Sequence, residues 1–134
     1  MILYKSKFLE VNYLELQHLT HFLFSDYASY MDGEGVYHEM LNFLGFRIHK
    51  RSRRFYLDLR NVEHLIDKDF FPWFETYILP KLASFNADKV AYLLKNASIS
   101  DIPERKITLF KNRDINVRFF DNPAGLMQWM NRDE

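Results

Sequence analysis

Cysteine is absent from this 134-residue chain. That excludes a disulfide framework, thiolate chemistry and any Cys-ligated metal. A net charge is missing too, because 18 Lys and Arg balance 18 Asp and Glu. Broad, non-specific affinity for nucleic acid or an anionic membrane is therefore not expected. No apolar run approaches the roughly 18 residues that suggest a membrane span. The start, Met1 to Lys7, reaches a lysine at once and lacks a signal peptide's apolar core. Repeats, low-complexity tracts and long linkers are also missing. These absences point to a soluble cytoplasmic protein without membrane insertion.

What is present suits one domain of ordinary size, residues 1–134, with its own core. Hydrophobic residues make up 48% and charged residues 27%, a globular balance. The aromatic share is high: thirteen Phe, eight Tyr and two Trp. Residues 2–24 alternate in places (Phe8/Glu10, Thr20/Phe22/Phe24), which predicts strands in an antiparallel hairpin or meander. Ser25–Gly35 reads as a loop. A helix is predicted from about Glu34 to Lys50, with Tyr37, Leu41, Leu44 and Ile48 on one face and Val36, Met40 and Phe43 widening it. Gly45 weakens its second half.

Phe55, Leu57 and Leu59 mark a strand. Asp67 is placed to N-cap a further helix whose buried stripe is Phe71, Phe74, Ile78, Leu82 and Phe85, with a kink at Pro80. Val90–Leu94 is apolar on both faces, as a covered central strand should be. Asp101-Ile102-Pro103-Glu104 has capping-box spacing, predicting a third helix to about Asn112. Val117–Phe120 forms the last strand, and Asn122-Pro123 starts a final helix. The class is α/β: a mostly parallel mixed sheet of four to five strands, an antiparallel N-terminal edge and about four helices.

The whole chain resembles the STAS-like proteins, in particular a bacterial SpoIIAA-like group related to anti-sigma factor antagonists. Three features carry the likeness. One is Phe55-Tyr56-Leu57-Asp58-Leu59-Arg60 followed by an aromatic helix with Trp73; another is Lys89-Val90-Ala91-Tyr92. The third is Arg118-Phe119-Phe120-Asp121-Asn122-Pro123 with the late Trp129. The resemblance implies a SpoIIAA-like fold and a non-enzymatic binding or regulatory role. It also keeps open carriage of a small apolar or lipid-like ligand, since such sequences are grouped with lipid-carrier domains. Where the antagonists present a phosphorylatable Ser, this chain has Ile66-Asp67-Lys68-Asp69, so no phosphoryl switch is carried over. In the last helix the group's usual small residue corresponds to Leu126.

Chemical motifs are sparse. His18 and His21, three apart on a strand, point to opposite faces, and His38-Glu39 lacks the second His of a zincin helix, so no metal or cofactor is expected. Gly33-Glu34-Gly35 lacks the remainder of a phosphate loop, and Asp32 and Glu34 would repel phosphate. Asp58, near the carboxyl end of a central strand, faces Arg60; with Asp67 these are the loop or ligand candidates, read first as a structural ion pair.

Charge is uneven beneath the zero sum. Residues 47–60 carry six Arg or Lys and one Asp, against two Lys and six acids over 1–46. The basic patch, Lys50, Arg51, Arg53 and Arg54, reads as a solvated helix end or an acidic-protein contact; a nucleic-acid partner is not expected. The contact surface is expected at Phe70, Trp73 and Tyr77, spaced by three and four beside the core stripe. It would serve a protein partner, a homodimer or one wall of an apolar pocket.

Overall fold

The computed structural model describes residues 1–43, 52–67, 69–83, 87–95, 105–109 and 113–132. Its strands are β1 (Ile2–Lys5), β2 (Leu9–Leu14), β3 (Leu19–Phe24), β4 (Arg54–Asp58), β5 (Lys89–Leu93), β6 (Arg105–Leu109) and β7 (Arg113–Phe120). They form one sheet in the order β1-β2-β3-β4-β5-β7-β6. β3, β4, β5 and β7 are parallel, while β1–β2, β2–β3 and β6–β7 are antiparallel. The α/β class and the antiparallel N-terminal edge are as the sequence predicts, in a sheet of seven strands.

Helix α1 (Gly33–Phe43) links β3 to β4. From β4 to β5 the chain passes through α2 (Phe70–Trp73), a π turn (Phe74–Ile78) and α3 (Leu79–Ala83). Helix α4 (Pro123–Met130) closes the described chain. Because β3, β4 and β5 are adjacent and step in one direction, right-handed crossovers place α1 and α2 on the same face. That face holds the larger core: Phe22, Phe24, Phe55, Leu57, Val90 and Tyr92 meet Val36, Met40, Phe43, Phe70, Phe74 and Ile78. The opposite face packs Leu19, Tyr56, Ala91 and Leu93 under Leu126, Trp129 and Met130 of α4.

Several elements differ from expectation, each for a local reason. Within Ser25–Gly35 the chain makes a 3-10 turn (Asp26–Tyr30), and α1 begins at Gly33, where a Cβ would sit 2.9 Å from the Leu65 carbonyl. The buried stripe of α1 is Val36, Glu39, Met40 and Phe43, rotated from the expected one; Tyr37 is half-buried and Leu41 is 47% exposed. Glu39 causes the rotation. Its carboxylate accepts hydrogen bonds from the Tyr4 hydroxyl at 2.7 Å and the Ser6 hydroxyl at 2.6 Å, so a charged position faces inward toward β1. Leu44 and Ile48 lie outside the described residues, as does Gly45.

At the next helix, Asp69 stands at the N-cap position and makes no side-chain cap. Asp67 instead accepts from the Asp69 amide at 2.9 Å, just ahead of the helix. Where a kink at Pro80 was expected, the helix widens: the Leu79 amide reaches back five residues to the Phe74 carbonyl. A wide turn before proline relieves the clash between its ring and the carbonyl four residues earlier. The Leu82 side chain and Phe85 are outside the described residues.

The largest correction is at 105–109, within the helix expected over 101–112; Asp101-Ile102-Pro103-Glu104 and 110–112 lie outside the described residues. Arg105–Leu109 is strand β6, paired antiparallel with an elongated β7. The cross-strand pairing of residues such as Ile107 with Ile115 overrides the helical reading of 105–109. By contrast, Asn122 caps α4 as expected, accepting from the Ala124 amide at 2.8 Å with Pro123 at the first helical position.

Candidate functional site

Two regions gather the chemistry-bearing side chains. The first lies on the α4 face, along cross-strand rows set by sheet register. One row runs Asn12, His21, Tyr56, Ala91 and Arg118; the next runs Glu10, Leu23, Asp58, Leu93 and Phe120. Asp58 is buried, and Arg60 grips it bidentately, Nε to Oδ1 at 3.0 Å and Nη2 to Oδ2 at 2.8 Å. The Arg60 amide adds a bond to Oδ1 at 3.2 Å. Such a fork is among the stronger hydrogen-bonded pairs, and it fixes the turn leaving β4. The bond to Asp58 holds the Arg60 guanidinium pKa above its ordinary value.

His21 stacks on Tyr56, ring centroids 4.2 Å apart. Its buried Nε2 has no hydrogen-bond partner among the described residues. Burial holds the imidazole pKa below its ordinary 6.5, against the opposing pull of Asp58 and Glu10. Burial, with Asp58 nearby, pushes the Tyr56 phenol up to about 12. A hydrolytic dyad would need Asp58 to orient His21, but both carboxylate oxygens are engaged by Arg60. The strand order also runs β3-β4-β5-β7 without reversal, so the sheet offers no switch-point crevice at Asp58. These groups form an ion pair and an aromatic stack that hold the sheet's surface together.

The second region is the seam between α1 and α2. Tyr37 meets Trp73 edge-on, with centroids 4.6 Å apart at 76°, and meets Phe70 at 5.7 Å. Both helices run back across parallel strands, so they run in the same direction. One turn beyond Tyr37 on α1 is Leu41; one turn beyond Trp73 is Tyr77, 65% exposed. One turn before them stand Glu34 and Asp69, both exposed. The seam therefore grades from carboxylates through half-buried rings to exposed apolar side chains.

This corrects the expected trio. Phe70 is fully buried, packed on Phe71 and Phe74, and is core. Trp73 is half-buried, and Tyr77 alone of the three stands well into solvent. The π turn begins after Phe70 and Trp73, and Tyr77 lies inside it. Spacing of three and four puts the three on one side of the helix, but that side runs from core at Phe70 to solvent at Tyr77. Sequence reasoning assigned Tyr37 and Leu41 to the core; the rotation follows from the inward-facing Glu39, for which the sequence carries no local signal.

Of the basic patch, Arg53 pairs with Asp88 at 3.2 Å, and Arg54 is half-buried at the start of β4. Lys50 and Arg51 are outside the described residues, as is His49. His18 takes a left-handed conformation (φ 51°) in the β2–β3 turn, where its Nδ1 lies 3.1 Å from the Tyr13 hydroxyl. His64 Nε2 lies 3.0 Å from the Ser29 carbonyl. Among the described residues no group of three or more His, Asp or Glu is placed to hold a metal ion, and no helix is long and apolar enough to cross a membrane. An open groove of about 340 Å3 lies beside the β2–β3 turn, lined by Met1, Tyr13, Leu14, Glu15, Leu16 and Gln17.

Lys89 was not singled out from sequence. On a fully buried strand, its ammonium donates to the Trp129 carbonyl at 2.8 Å and the Arg132 carbonyl at 2.6 Å, and lies over the Trp129 ring. It ties the carboxyl end of α4 to the sheet, where a cation complements the helix dipole. Its place directly ahead of the apolar run Val90–Leu94 was the available clue.

Comparison with protein-family models, with curated proteins and with solved structures finds no match to this chain.

Proposed function

We propose that this protein is a STAS-like, non-catalytic binding module that works by protein contact, and that the α1/α2 seam is the contact surface. The observation that carries this reading is the exposure of Tyr77 and Leu41 beside the half-buried Tyr37–Trp73 pair. Tyr and Trp are enriched where proteins meet, because each combines a large apolar area with a polar handle. The core does not account for Tyr77 and Leu41, which stand in solvent, while Tyr37 and Trp73 pack at its edge and Phe70, Phe74 and Ile78 fill it.

The test is capture of partners from the native host with wild type and with a Trp73→Ser/Tyr77→Ser variant, followed by reconstitution from purified components. A reconstituted complex that the double variant weakens by about tenfold or more supports the reading, since contact hot spots are commonly Trp and Tyr. A complex formed equally well by both proteins would sink it. Sedimentation of wild type and Trp73→Ala reports whether the partner is a second copy.

A further inference from the structure

The seam carries charge as well as rings, and at its amino-terminal end the charged side chains among the described residues, Glu34, Asp67 and Asp69, are all acidic. Asp69 makes no cap with its side chain, and neither Glu34 nor Asp69 forms a side-chain hydrogen bond or ion pair with a described residue. Asp67 accepts the Asp69 amide, which leaves its carboxylate charge at the mouth of the seam. Acids in a first helical turn also complement the helix dipole, and that alone would explain one on each helix. It does not explain why they converge on the same two rings. Glu34 lies three residues before Tyr37 on α1, Asp69 lies four before Trp73, and Tyr37 and Trp73 are in contact. Both Asp67 and Asp69 act on the Tyr37 hydroxyl, adding to the burial that raises its pKa. Two rings nearly perpendicular, flanked by unspent carboxylates, make a receptor for a cation: the ring faces attract it and the carboxylates pair with it.

We propose that the seam binds a basic, partly apolar segment of a partner protein, with an Arg or Lys against Tyr37, Trp73 and the carboxylates of Glu34, Asp67 and Asp69, and apolar residues over Leu41 and Tyr77. This rests on the contact reading above and adds the chemistry of the partner. The charge gradient also sets polarity: the segment's cationic end lies at the amino ends of α1 and α2.

The probe is a fluorescein-labelled peptide alternating Arg and Leu, paired with the same peptide carrying Gln for Arg, measured by anisotropy at low and high salt. The Arg peptide should bind wild type about tenfold tighter than the Gln peptide, with an advantage that shrinks as salt rises. Asp67→Asn/Asp69→Asn should erase that advantage. The asparagine introduced in place of Asp67 keeps a side-chain oxygen to accept the amide two residues on, and circular dichroism checks the fold. Tyr77→Ser should weaken both peptides. Equal binding of the two peptides, lost in Tyr77→Ser, would overturn the cationic preference and leave the seam as a contact surface. Binding of the Arg peptide that survives all these substitutions would place it elsewhere and overturn both readings. Absence of any binding, or a wild-type dimer that Tyr77→Ser dissociates, would also overturn the proposal.

Discussion

The two faces of the sheet are held in different ways. Under α1 and α2 the core is built of interlocked rings: Phe22 against Phe43 and Phe74, Phe71 against Tyr92 and Phe119, Tyr92 against Phe74. Under α4 it is mostly aliphatic and narrower, and a buried lysine clamps the helix end. Beyond α4 that face shows the polar rows of Glu10, Asn12, His21 and Asp58. The ring-filled face supplies most of the apolar burial, and its outer surface also carries the aromatic surplus. Buried core and exposed ring are therefore separated by less than one helical turn, between Phe74 and Tyr77.

The comparison can be broken first in the ring-filled core. Phe74→Ala should cost about 3–5 kcal/mol in chemical denaturation, the usual range for a buried Phe. A loss below about 1 kcal/mol would mean the aromatic face does not dominate stability. Next comes the clamp. Lys89→Met keeps the stem's volume and removes the donor shared by two carbonyls, of which Trp129's keeps the Arg132 amide at 3.3 Å, for an expected loss of about 1–3 kcal/mol. Hydrogen exchange should show α4 opening before α1 in that variant; unchanged exchange at 123–130 would contradict the clamp.

A smaller effect is expected at the half-exposed Arg60. Arg60→Ala strands a buried carboxylate, but water reaches the gap, so about 1–2 kcal/mol is expected from urea unfolding. Loss of more than about 4 kcal/mol would place the pair deep in the core instead.

The pH dependence should be smallest, and its two contributions, both from the α4 face, should run in opposite directions. His21 resists protonation when folded, so its contribution is whole above pH 6.5 and declines as pH falls below it. His21→Gln should flatten that acid-side decline in the urea midpoint. Tyr56 works at the other end. Its phenol stays protonated to about 12, so its contribution is whole below pH 10 and is lost as pH rises toward 12. Phenolate absorbance should show a late-titrating tyrosine that Tyr56→Phe removes.

Much of the architecture was legible because it rests on short-range patterns. The alternation around Phe22, the doubly apolar run at Val90 and the Asn122-Pro123 start of α4 each name their own structure. What escaped depends on distant partners. Glu39 looks like an outward residue until Tyr4 and Ser6 are placed beside it. Arg105–Leu109 reads as helical until β7 lies alongside. The candidate site was half legible: Trp73 and Tyr77 were singled out, but spacing does not say where along a helix the core ends, so Phe70 was grouped with them although it is buried. Tyr37 and Leu41 were placed in the core because Glu39 was not expected to face inward.

The central claim is that surface and core divide within this one helix, with Phe70 inside and Tyr77 outside. Denaturant unfolding of Phe70→Ala and Tyr77→Ser, measured side by side, tests it most directly. The account predicts a loss of about 3–5 kcal/mol for Phe70→Ala and no more than about 0.5 kcal/mol for Tyr77→Ser. Equal losses in the two variants would contradict it.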